Sequence, residues 1–333
     1  DQRRDADGIA FGYLSADGVA QFANLAGVSV AIGASEEGDI RSFIAGILPV
    51  IIRSTAKDAV WNTKRTESGL EDSLLIRSEP EASSIWKETL SGRASNDFNA
   101  ASFIPKEFNS FTRYNLQNPQ IAWRSVLVSV SKQLDAVSSK VLLDVSGSAL
   151  EPYGVRDAET FLSTLGNEIS TVRFDEEGDE TVVIAGVENF EKLKTALASE
   201  LNMSKPAEQQ GSAQLWRSTD NLLLAAVHGK TLILGETESV LKCLIAREGP
   251  NNFANSPEIK YFTNNVAAAV TISKDPTTAP TVASVLGTPK EADISFRAFS
   301  VNQTSFTSTT IDRKSTSDFG FIGYLIAQFN SAE

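Results

Sequence analysis

Two segments of the chain carry the same succession of apolar and polar positions. Residues 60–65 and 70–77 alternate on either side of Glu67, Ser68 and Gly69. This pattern predicts two strands joined by a turn in which glycine can take a positive φ. On the second strand Leu70, Leu74 and Ile76 share a face. Pro80 suits the first turn of a helix, which then buries Ile85, Trp86, Thr89 and Leu90. Near the other end, 294–301 and 306–312 read as strands. A helix over 318–329 follows, with Ile322, Leu325, Ile326 and Phe329 on one stripe. Identity between the copies is poor. An internal duplication and the plain commonness of a hairpin–helix unit account for the match equally well.

Between these segments the periodicity keeps changing. An apolar run at 9–14 predicts a strand. Residues 17–25 predict a helix with Val19, Phe22, Ala23 and Ala26 on one side, stopped by Gly27. Residues 28–32 alternate as a strand, and 39–48 place Ile40, Phe43, Ile44 and Ile47 at helical spacing. An extended stretch falls within 102–116. Asn118 and Pro119 open a helix over 120–134, and a second helix follows through 139–150. Beyond a break at 151–154, the pattern is more regular. It gives a helix at 158–165 ended by Gly166, strands at 169–174 and 181–185, and a helix after the N-cap residue Asn189. Short strands follow at 214–217, 222–227 and 231–234, with His228 and Gly229 as a tight turn. Thr237 is placed to cap a helix at 238–247, a strand at 266–272 comes next, and 277–286 reads as helical. The order predicts an α+β fold of antiparallel sheets with helices packed on one face. The predicted division is 1–117 and 155–333 as two related halves, with 118–154 as a helical bridge.

Composition narrows the function. The 333 residues hold 30 Lys+Arg against 42 Asp+Glu, a net charge of −12 with pI near 4.8. Nucleic acid and anionic membranes require a concentrated basic face. The most basic cluster, Arg3 and Arg4, is flanked by Asp1, Asp5 and Asp7. No apolar run approaches the roughly 18 residues that span a bilayer. The longest candidate, 40–52, contains Arg41, Ser42 and Pro49. The chain begins at Asp1 and its only Met is Met203, which fits a leader removed on export and equally a start trimmed for other reasons; the first is taken as a hint of export.

Residues that announce chemistry are scarce: one His, one Cys and one Met. His228 is the only available base for a triad, and it falls in a predicted turn with no nucleophile elbow in the sequence. Ser-x-x-Lys spacings at Ser54/Lys57, Ser84/Lys87 and Ser129/Lys132 lack their companion motifs. Zinc or iron sites need several His or Cys ligands. Calcium needs oxygen alone, but the Asp5–Asp7 stretch lacks the rest of a calcium loop, and 175–179 reads as a soluble turn. Cys243 beside Leu244 and Ile245 reads as a small core residue. No phosphate-binding glycine loop is present, and the two carboxylates within 33–38 would repel phosphate. No cofactor is expected. Of the four tryptophans, Trp61 and Trp86 lie within the first hairpin–helix unit, and they are the candidate contacts for a ligand or partner.

Residues 158–272 also carry a resemblance. Phe161-Leu162-Ser163-Thr164-Leu165-Gly166-Asn167-Glu168 precedes a strand pair. Asn189-Phe190 opens a helix, and Gly229-Lys230-Thr231-Leu232-Ile233-Leu234-Gly235 precedes an amphipathic helix. This resembles a family of uncharacterised bacterial exported proteins. The resemblance implies a periplasmic or extracellular location and carries over no site residue. Together these readings point to a non-enzymatic exported scaffold that binds a protein partner or apolar ligand. A lipid carrier and a carboxylate-based glycan hydrolase are the rival readings.

Overall fold

The computed structural model describes residues 8–32, 49–50, 52–53, 55–67, 69–90, 92, 98–147, 150, 153–175, 180–201, 203, 208–263, 265–274, 278–285, 299–323 and 326. The helix expected at 39–48, the glycine-bounded stretch 33–38, the acidic residues Asp5 and Asp7, and most of the turn at 175–179 lie outside them. So do residues 294–298 of the late strand and 327–329 of the last helix.

The described chain runs β1 (Gly8–Leu14), α1 (Ala16–Ile32), β2 (Ala56–Thr66), β3 (Gly69–Ser78) and α2 (Pro80–Leu90). Then come β4 (Ser110–Asn115), α3 (Pro119–Ser131), α4 (Ala136–Gly147), α5 (Ala158–Leu162), β5 (Leu165–Arg173), β6 (Thr181–Val187) and α6 (Phe190–Leu201). The remainder is β7 (Glu208–Gln210), β8 (Ala213–Arg217), β9 (Leu223–His228), β10 (Thr231–Glu236), α7 (Thr237–Glu248), β11 (Ala269–Lys274), α8 (Thr278–Val285), β12 (Phe299–Phe306) and β13 (Thr310–Ser317). The strands form one 13-stranded sheet in the order β1-β2-β3-β13-β12-β11-β4-β5-β6-β10-β9-β8-β7. Every pairing is antiparallel. The α+β class with antiparallel pairing is therefore what the chain adopts.

The two hairpins that share a sequence pattern are neighbours in space. β13 pairs with β3 from Thr310 opposite Arg77 to Ser317 opposite Leu70. The late hairpin turns at 307–309, not at 302–305 as the pattern suggested. No glycine or proline marks the place. The Thr307 hydroxyl makes it by accepting from the amides of Thr309 (3.2 Å) and Thr310 (2.9 Å), a side-chain device that composition does not reveal.

Two other expectations are corrected. Residues 28–32 continue α1 and form no strand, so Gly27 lies inside a helix. An interior glycine costs only about 1 kcal/mol, too little by itself to end the helix. Gly166 ends no helix either. α5 stops at Leu162, and β5 runs through Gly166.

The core explains why β6, β9 and β10 lack a polar face. Val182, Ile184, Leu224, Ala226 and Ile233 point to one side, against Val240, Cys243 and Leu244 of α7. Val183, Ala185, Ala225, Val227, Leu232 and Leu234 point to the other, against Phe161 of α5 and Leu193, Leu197 and Leu201 of α6. Helices were expected on one face, but over this part of the sheet they cover both, as near-continuous apolar runs require. On the α7 side Phe98, Phe111, Phe253 and Phe262 stack or meet edge to face at 4.6–6.2 Å. Arg113 of β4 is buried among them. Its guanidinium lies 4.9 Å over Phe98, donates to Glu168 at 2.9 Å and donates to the carbonyl of Phe262. A buried cation survives only when paired in this way.

Candidate functional site

Trp61 and Trp86 share a face of the sheet but make no ring contact with each other among the described residues. Trp61 lies on β2, opposite Gly12 of β1. Its ring folds over that glycine, where an added Cβ would stand 2.9 Å from Cε3. It meets Phe321 edge-on at 5.4 Å. Trp86 is buried on α2 and reaches the sheet at Phe306 of β12, 6.2 Å away. Register places Phe306 in the row of Ile311, Ile76 and Ala59, on the same side as Trp61. Three strand spacings, roughly 14 Å, separate the two strands. The Nε1 of Trp86 has no hydrogen-bond partner among the described residues. That of Trp61 donates to Asp72 at 3.0 Å.

Asp72 does more than hold the tryptophan. It is buried on β3 and also accepts from the Thr63 hydroxyl and, at 2.6 Å, from the amide of Phe321. One carboxylate thus ties the first hairpin to the segment that follows β13. The nearby Asp58 faces the other side of the sheet and pairs with Arg77, with Tyr13 donating at 3.3 Å. The Arg77 guanidinium is pushed up by its hydrogen bond to Asp58. Both buried aspartates are engaged by donors rather than by a second carboxylate.

His228 closes β9, and Gly229, at φ 62°, turns the chain into β10. The imidazole meets Phe103 edge-on at 5.5 Å, and Arg247 lies 5.6 Å over the same ring. His228, Arg247, Glu248, Gln210 and Ser212 line a depression of about 250 Å³. A triad needs a base hydrogen-bonded to both a nucleophile and an orienting group. Among the described residues no side-chain hydrogen bond joins His228 to either. No cluster of three or more His, Cys, Asp or Glu able to hold a metal occurs among the described residues. Cys243 sits fully buried under the sheet, and burial pushes its thiol up to about 12. A thiol in that state is a packing group, not a nucleophile.

The least expected feature is at the sheet edge. On β1, Ile9, Phe11 and Tyr13 alternate outward with 62%, 45% and 54% of their surface exposed. Phe22 of α1 is 57% exposed. No charged residue occurs between Gly8 and Ala16. The strand itself was legible in the sequence, but its outward face was not, because alternation does not say which side is covered. Further exposed apolar side chains, Ile121, Val128, Val137 and Leu143, lie on α3 and α4. No helix among the described residues is long and apolar enough to cross a membrane.

No protein-family model matches the chain, and no curated protein does. Among solved structures, crystal forms I and III of TP0453 align with 71% of this chain and with 86% and 88% of theirs. The identities are 8% and 7% and the TM-scores 0.35 and 0.37.

Proposed function

We propose that the chain is a non-enzymatic binding scaffold, exported to the periplasm or beyond the cell, that meets its partner through the apolar end of its sheet. The observation that carries this reading is the uncharged edge strand β1, with Ile9, Phe11 and Tyr13 facing solvent. Exposed apolar alternation on an edge contributes nothing to a core, and such patches mark sites of contact. Export rests on the resemblance of residues 158–272 to bacterial exported proteins.

Native mass spectrometry of the purified protein tests this reading. The expected result is the bare mass of 35.8 kDa or whole multiples of it. A co-purifying lipid mass would transfer the function to a carrier.

A further inference from the structure

The two ends of the sheet are built differently. β7 is three residues long, is exposed throughout and carries Glu208, which pairs with Arg217 at 3.4 Å. Shortness and charge are the usual ways of blunting an edge. β1 has neither. It is seven residues long, uncharged and paired only through β2 among the described residues. Its irregularity lies between Gly8 and Ala10, and from Ala10 to Leu14 the register is regular.

We propose that β1 pairs antiparallel with β1 of a second copy of this chain, so that one sheet runs through both. An edge strand offers a row of backbone N–H and C=O groups. A lipid surface cannot satisfy them, and each would cost several kcal/mol in hydrocarbon. A second strand satisfies those of the residues it pairs with. A two-fold axis at Gly12 uses the regular part of β1 and sets Phe11 of each copy opposite Tyr13 of the other. This arrangement forms two aromatic cross-strand pairs on the exposed face. On the opposite face Gly12 presents no side chain, and Trp61 already covers it. The strand carries no charge, so self-pairing opposes none, although each chain carries −12 overall. The contact is isologous and consumes the unblunted edge of both copies. The assembly therefore closes at two, leaving a blunted β7 at either end.

This inference rests on reading β1 as a contact surface. The test is sedimentation of the full chain across concentration, with Phe11→Lys and Tyr13→Lys, the two members of the aromatic pair, beside it. Both positions are exposed, and an unchanged circular dichroism spectrum establishes that the variants fold. The expected result is a species of twice 35.8 kDa whose dissociation constant rises at least about tenfold in each variant, since each places a charge in a desolvated pair. A monomeric chain, or a dimer indifferent to both changes, would overturn the self-pairing. If the chain is monomeric but an unrelated extended apolar peptide protects the β1 amides from exchange, the self-pairing fails and the contact surface stands. If nothing protects them, both fail.

Discussion

Asp72 shows how much one buried carboxylate can organise. It accepts from Trp61 and Thr63 within its own hairpin and from the amide of Phe321 beyond β13. Removing it takes away the carboxylate that these three donors share. Leaving such a donor unpaired costs about 1–3 kcal/mol. We expect Asp72→Ala to lower stability by about 2–4 kcal/mol, read from the urea midpoint at unchanged m-value. A midpoint within error of the parent would remove Asp72 from this role. The sequence marked Trp61 as a residue of interest but gave no sign that Asp72 holds its indole. Asp72 looked like any polar position on an alternating strand. Its burial follows from Phe321, which stands 249 residues away, and no local pattern carries that information.

The elements were more legible than the contacts between them. The early hairpin, α2, α6 and the β9–β10 turn lie where apolar periodicity and turn residues put them, and Asn189 caps α6 by accepting from Lys192 at 3.0 Å. The failures have local causes. Thr237 was the expected cap of α7, yet its hydroxyl donates to the carbonyl of Asn221 at 2.8 Å. Glu236 caps instead, accepting from the amides of Glu238 (2.9 Å) and Ser239 (2.8 Å). Burial pushes Glu236 up, but those amide bonds outweigh it and hold it below its ordinary value. Asp157, capping α5, is lowered by the hydroxyl and amide of Thr160, and Asp220 by Ser218 and the amide of Leu222. A carboxylate lowered in the folded state stabilises the fold above its unfolded pKa, and the contribution is lost as pH falls through the folded value. The thermal midpoint should therefore be flat from about pH 7 to 5 and decline below about pH 4. A midpoint that rises on acidification would contradict the cap geometry.

At the scale of the molecule, the sequence could not order the sheet. It placed the strands within two hairpin-rich halves. The sheet instead inserts β11, β12 and β13 between β3 and β4, so the last strands join the early ones. Strand order depends on which alternating faces find each other, and many pairings satisfy the same alternation. The same limit hid the difference between the two sheet edges, which only the order of strands exposes. That difference is the centre of the account: β7 is built to end the sheet and β1 is not. Hydrogen exchange of the full chain reads it directly. The account predicts that amides in 8–14 exchange more slowly as protein concentration rises, while those in 208–210 exchange fast throughout. Equally fast exchange at both edges, at every concentration, would contradict it.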